Sequence, residues 1–398
     1  DSHILMTLTE LFQKSTNTEY SMTSKPSTSE KKESTGTLSE SIFDRVDRWA
    51  EDNNRQKRGH LGFSVLGDDD ERKLWMNFHW CLESDFEGRM LRLFDLGNRI
   101  EDQVVDYLKD SGVIDVSAVD KDGKQYRASI LGGHSSGACD GFVKRVYKDN
   151  PEKILLLEIK SANDKRFNEL VKLQDYQGWS KTYQWQIQCY MGIFNLDQTL
   201  VVVVNKNNSK IYSEIVDFTP RVWEEAQIKA KRIICSDAPP QGMGEKDWRL
   251  KTQSEEYRNI YLGKRLPSSV NCRNCVSSKP IIESNNAVWF CKRFNQSMDI
   301  TQQASECPSH LWRPSLVNAT HIPEKSTDEM MAYQAGIVDF YNVTAENQGE
   351  YKYSSPEMRE LSKSGFDTKM MMEMEPIKKM FDGEYVPVEV TDEGNVPF

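Results

Sequence analysis

The chain has no apolar run approaching the roughly 20 residues needed to cross a bilayer. Its first residues show neither the apolar core nor the small-residue cleavage site of a signal peptide. No membrane partner is expected, and a cytoplasmic location is. Eight cysteines in 398 residues are too few for a disulfide scaffold. No repeat recurs at 20 to 50 residue spacing, which disfavours a solenoid. No Gly-x-x-x-x-Gly-Lys-Ser/Thr segment is present to cradle a nucleotide phosphate, so an ATP-driven motor is not expected.

Positive charge is scarce as well: 51 Lys and Arg stand against 61 Asp and Glu, a net −10. The deficit is local, because residues 321–398 hold 16 acidic and 7 basic side chains and leave the other 320 residues at only −1. A near-neutral body can still bind a polyanion through a basic groove, particularly where divalent ions add charge at phosphates. The 38% hydrophobic and 28% charged content is that of an ordinary globular protein, which excludes wholesale disorder.

Residues 1–5 read as an added segment ahead of a starting Met6. Residues 14–40, crowded with Ser, Thr, Lys and Glu, read as a disordered arm that cannot bury enough surface to offset ordering. The expected organisation is this arm over 1–40, a main domain over 41–240, a cysteine-rich metal-binding module over 241–320 and an acidic, Met-containing tail over 321–398. In the main domain Leu93, Gly97, Ile100, Val104, Val105 and Leu108 recur at helical spacing and predict an amphipathic helix over Arg89–Lys109. Glu101 sits at the edge of that stripe. Strands are predicted over Gln125–Leu131, around Ala138–Tyr147 after a Gly132-Gly133 bend, and through Ile154–Lys160 as a buried central strand. A long helix over Gln174–Phe194 and strands over Thr199–Asn205 and Lys210–Phe218 follow. This order predicts an α/β core with a mixed central sheet flanked by helices.

Glu158 and Lys160 close the apolar strand as Glu-Ile-Lys. Side chains alternate along a strand, so the two point to one face and Ile159 to the other. Charged groups at the end of a buried strand are costly unless paired or bound to a cation. Alone, Glu-x-Lys is an ordinary strand-end ion pair.

Its neighbours alter that reading. Glu101 on the preceding helix, Asp140 in Gly137-Ala-Cys-Asp-Gly141, the Glu158–Lys160 pair, and Gln186-x-x-x-Tyr190 on the following helix together resemble the PD-(D/E)xK nuclease superfamily, in its RecB-type and phage lambda exonuclease branch. The resemblance spans Arg58 to Asp217. The segments His60–Gly67, Glu71–Trp75 and Phe86–Phe94 look like a phage exonuclease subfamily with a C-terminal cysteine module. The resemblance implies a restriction-endonuclease-like core that cleaves DNA from its ends, 5′ to 3′ on duplex, in phage recombination or replication. A single-strand annealing protein is an implied partner, and a homo-oligomer is left open.

The residues suit that chemistry. Magnesium, or manganese, takes oxygen ligands and keeps several waters, so Glu101, Asp140, Glu158 and the Ile159 backbone carbonyl form a fitting donor set. One ion would activate a water for attack at phosphorus, and a second could steady the leaving oxygen. Lys160 would orient that water or neutralise developing charge. Gln186 lies one turn before Tyr190 and could brace Lys160 or a phosphate, whereas Tyr190 could equally be core packing. Arg58, Ser64 and Arg72 are candidate DNA contacts. The resemblance implies an arginine and serine grip on a 5′ phosphate, against the plain reading of a solvated basic face. His134 could approach the metal site or be a hydrogen-bonded structural histidine. Cys81, Cys139, Cys189 and Cys235 read as buried packing.

Cys272-Arg-Asn-Cys275, Cys291 and Cys307 suit a closed tetrahedral zinc site, and a short segment without a large core would draw folding energy from the metal. His310 competes with Cys307 as a ligand. An iron–sulfur cluster is the alternative, and would favour a RecB-like nuclease of the CRISPR-adaptation kind. A non-catalytic zinc-bearing DNA-binding protein is the reading from a different class. Met370–Met374 reads as a flexible apolar patch in a short helix.

Overall fold

The structure is a computed structural model and describes residues 41–53, 57–82, 86–283 and 286–380. The arm expected over 14–40 and the acidic end from 381 lie outside the described residues. The first elements are α1 (Ile42–Asn53), β1 (Leu61–Gly62), α2 (Phe63–Leu66), α3 (Glu71–Phe78) and α4 (Gly88–Ser111). Helix α4 is the predicted amphipathic helix, extended by one residue at its start and two at its end. It stops where Gly112 turns left-handed (φ 62°) and its N–H returns to the Lys109 carbonyl.

Next come β2 (Asp115–Ser117), β3 (Arg127–Ile130), β4 (Ser135–Ala138), β5 (Gly141–Lys144) and β6 (Leu155–Ala162). The single strand expected around Ala138–Tyr147 is thus two, parted at Cys139-Asp140. Gly141 explains the break: at φ 140°, a Cβ there would lie 2.4 Å from the Ser117 carbonyl oxygen. The chain continues through α5 (Asp164–Leu173), α6 (Tyr176–Trp179), α7 (Lys181–Phe194), β7 (Gln198–Asn205), β8 (Ile211–Asp217) and α8 (Pro220–Cys235). The long helix predicted over Gln174–Phe194 is therefore broken. Ser180 is extended (φ −154°), and its side chain accepts the Tyr183 N–H, so the chain restarts as a new helix. Helix α5, capped by the Asn163 side chain, has no counterpart among the predicted elements.

The central sheet runs β2-β5-β6-β7-β8. Strand β6 pairs antiparallel with β5 and parallel with β7, with Glu158 opposite Val201 and Lys160 opposite Val203. The sheet is mixed, as predicted. Leu155, Leu157, Ile159, Val202 and Val204 pack on Val104 and Val105 of α4. The alternate residues Leu156, Val201 and Val203 face the larger core, with Ile187 and Tyr190 of α7. A side sheet, β1-β4-β3, lies next to this layer.

Beyond α8, β9 (Ser278–Pro280), β10 (Trp289–Cys291) and β11 (Gln296–Met298) form a small antiparallel sheet. Then β12 (Thr320–His321), β13 (Met330–Ala335), β14 (Val338–Val343) and β15 (Lys352–Tyr353) form another, followed by α9 (Ser355–Leu361) and α10 (Thr368–Met380). Trp289, Leu311, Trp312, Tyr333, Phe340 and Met371 belong to the same apolar core as Phe63, Trp75, Phe78 and Tyr190. The Met-rich stretch is helical as expected, but Met371 is wholly buried in that core rather than lying in a flexible patch. No helix among the described residues is long and apolar enough to cross a membrane.

Candidate active site

Strand β6 carries Glu158 fully buried, with Lys160 in ion contact with its carboxylate. The Glu158 carboxylate has no partner besides Lys160 among the described hydrogen bonds and ion pairs. Asp140 reaches the same place from the β4–β5 break, where its Oδ2 accepts the Ile159 N–H at 2.6 Å. Glu101 arrives from α4, half-buried, and feels the charges of Asp140 and Lys160. The four groups proposed from sequence thus converge.

Their titration reflects that crowding. Burial, and then the Asp140 charge, push Glu101 up to about 7 against the opposing pull of Lys160. Burial drives Glu158 up to about 8, with Lys160 opposing and Asp140 and Glu101 reinforcing. Asp140 is raised by burial too, held back by Lys160 and the Ile159 N–H. Burial pulls Lys160 down, but Glu158 and Asp140 together hold it well above the usual lysine range. Three carboxyl groups share one ammonium and each is held above its ordinary range, so a hard cation would favour their ionised forms.

Helix α7 supports this cluster. Tyr190 is buried and donates its hydroxyl to the Ala138 carbonyl at 2.6 Å, two residues before Asp140. Gly137 is forced by the same contact, since a Cβ there would meet the Tyr190 oxygen at 2.5 Å. Gln186 faces the Tyr190 hydroxyl, and its own Oε1 is buried without a partner. Tyr190 therefore braces the end of β4, and Gln186 stands behind Tyr190. One residue with no sequence signal joins the neighbourhood: Tyr176 is fully buried with an unpartnered hydroxyl.

Arg58 and Ser64 come together. A Cβ on Gly62 would lie 2.6 Å from Arg58 Nη1 and 3.4 Å from Ser64 Oγ, and both side chains are exposed. His60 is lowered to about 4 by burial and then by Arg58, Arg127 and Arg273, which marks a cationic neighbourhood. Arg72 is not part of it. Its Nε donates to the Tyr261 carbonyl at 2.6 Å and its Nη1 to that of Pro240 at 3.2 Å, so it is a strut rather than a DNA contact.

Burial pushes the Cys272 thiol up to about 12, and Cys275, Cys307 and Cys291 push it the same way. The other three cysteines are thus near enough to Cys272 to act on its thiol. Among the described residues, however, no group of three or more His, Cys, Asp or Glu side chains has metal-holding geometry as it stands. Backbone N–H groups of Leu311 and Ser277, with Arg313, favour the Cys275 thiolate against its burial. His310 is no competing ligand: Nδ1 is engaged by Ser355 Oγ at 2.8 Å and Nε2 by Asn274 Oδ1 at 2.9 Å. His134 is the structural histidine, its Nε2 shared by the carbonyls of Ile281 and Val288. Cys81, Cys139 and Cys189 are buried as expected, but Cys235 ends α8 exposed.

No family model matches the chain, and neither does any curated protein. Among solved structures it is similar to an alkaline exonuclease (LHK-Exo) from Laribacter hongkongensis, with 14% identity over 47% of this chain and 90% of that one, at a TM-score of 0.33. SSO0001 matches at 12% identity over 54% and 93% of the two chains, with a TM-score of 0.30. A phage related exonuclease from Haemophilus somnus 129PT matches at 15% identity over 46% and 94%, with a TM-score of 0.27. Scores this low carry no weight for fold or activity, which rest here on the chain's own geometry.

Proposed function

We propose that this protein is a metal-dependent nuclease that hydrolyses DNA phosphodiester bonds from free ends. The observation that carries this is the Glu158 carboxylate, wholly buried with the Lys160 ammonium against it and Asp140 and Glu101 beside it. A structural ion pair needs one acid for one lysine. Three acids drawn together from a helix, a strand break and the middle of a strand, kept at the cost of raised pKa values, fit a site built for a cation and a phosphate.

Asp140, Glu158, Glu101 and the Ile159 carbonyl would hold magnesium or manganese. Such an ion, when bound, supplies activation of the attacking water and charge neutralisation at phosphorus. The Ile159 N–H fixes the Asp140 carboxylate, and Tyr190 fixes the strand that delivers it. Lys160 stays protonated and offers its ammonium to the attacking water or to the phosphate oxygens. Arg58 and Ser64 would receive a terminal 5′ phosphate, which favours 5′ to 3′ degradation of duplex ends, as in phage recombination or replication beside an annealing protein. The soft four-cysteine set would hold one structural zinc.

The test is degradation of end-labelled linear duplex and single-stranded DNA against a covalently closed circle, with magnesium or with EDTA. Magnesium-dependent loss of linear DNA with the circle intact supports the proposal. Absence of magnesium-dependent cleavage on every substrate overturns it.

A further inference from the structure

Helix α6 places one more polar group beside the acidic cluster. Tyr176 is fully buried, and its hydroxyl has no hydrogen-bond partner. Leaving a buried hydroxyl unpaired is costly, so its retention calls for a cause. The ring lies nearly parallel to that of Tyr183, with centroids 6.2 Å apart and planes at 16°. Lys160 Nζ stands over the Tyr183 ring at 5.7 Å from its centroid. The Tyr176 backbone N–H donates to Glu214 Oε2 of β8 at 2.9 Å, which pins the residue to the sheet.

The chain therefore keeps a buried donor without an acceptor close to a buried carboxylate, Glu158, whose contact is the Lys160 ammonium. Glu158 is also the charge that the Tyr176 hydroxyl feels most strongly, with Lys160, Tyr183 and Asp140 following. Carboxylates that bind metals are themselves hydrogen-bonded by surrounding groups that set their orientation.

We propose that Tyr176 is a positioning residue for Glu158, donating its hydroxyl to that carboxylate once a cation and a DNA phosphate draw Lys160 away from it. The hydroxyl replaces the ammonium as the group that orients the carboxylate, and no proton changes owner. This rests on the nuclease reading above, and the test separates the two.

Manganese binding is measured by titration on the full chain for wild type, Tyr176→Phe and Asp140→Ala, together with the metal-free melting temperature of each. Because Tyr176→Phe removes no existing hydrogen bond, it should melt at or slightly above wild type without metal. Its manganese dissociation constant should rise about 10- to 100-fold. An unchanged dissociation constant in Tyr176→Phe, with binding lost in Asp140→Ala, overturns the role of Tyr176 and leaves the nuclease reading standing. A metal-free melting temperature lowered by several degrees also overturns it, since the hydroxyl would then be a structural bond. Wild type that binds no manganese, like Asp140→Ala, takes down both.

Discussion

The Tyr190 hydroxyl donates to the Ala138 carbonyl at 2.6 Å and so couples α7 to the bend that presents Asp140. Tyr190→Phe removes that bond and nothing else of the packing. It should cost about 1 kcal/mol of stability by denaturant titration. Cleavage should fall about tenfold through displacement of Asp140. Unchanged turnover would make Tyr190 a core residue only.

Asp140→Ala, Glu158→Ala and Lys160→Ala should each lower cleavage by about a thousandfold or more, because each removes a charge required at the reacting phosphate. Lys160→Ala should also destabilise the metal-free protein, leaving three acids without their cation. Wild-type turnover by any of the three, in preparations free of contaminating nuclease, removes that residue from the site.

Glu101 sets a pH dependence. Its folded pKa of about 7 exceeds the ordinary glutamate value of 4.5, so the folded state binds more protons between those limits. The associated stability is full below pH 4.5 and is lost as pH rises through about 7. Relative to wild type, metal-free Glu101→Gln should gain on the order of 1 kcal/mol between pH 5 and pH 8, after allowance for solvent screening. Saturating magnesium should abolish the gain. Parallel pH–stability curves for the two proteins would contradict this.

Arg58 and Ser64 should make cleavage sensitive to the end group. Arg58→Ala should erase any preference for 5′-phosphorylated over 5′-hydroxyl duplex while leaving slow cleavage of both. Equal rates on the two ends with wild-type protein would strike both residues from the site.

The cysteine cluster should yield about one zinc per chain on elemental analysis, in a colourless protein. Cys272→Ser should lower the melting temperature, with activity lost only as a consequence. Iron and sulfide in a brown preparation would replace the zinc assignment with a cluster.

Local periodicity makes part of the acidic set legible in the sequence, while Asp140 and the link between the acids come from the nuclease resemblance. Alternation along β6 puts Glu158 and Lys160 on one face, and helical spacing leaves Glu101 at the rim of α4. What escapes is decided by distant partners. Arg72 resembles any exposed basic residue until its carbonyl acceptors, 168 and 189 residues further on, are known. His310 sits beside Cys307 in sequence, yet Ser355 and Asn274 take both its nitrogens. The break at Ser180 is hidden because the apolar spacing continues across it, and Tyr176 is hidden with it. Cys235 ends exposed although its composition class is among the most often buried.

Arg273 donates to the carbonyls of Phe78 and Gly59 at 3.0 and 2.8 Å and lies among the rings of Phe78, Trp80 and Trp289. The segment bearing Arg58 and His60 is thus completed by a side chain more than two hundred positions later. During synthesis the central sheet has all its strands once residue 217 has left the ribosome. The segment bearing Arg58 and His60 still lacks its anchor then. The cysteine-rich stretch must emerge and fold back before Arg273 can seat there, so a nascent or prematurely terminated chain lacks that anchor.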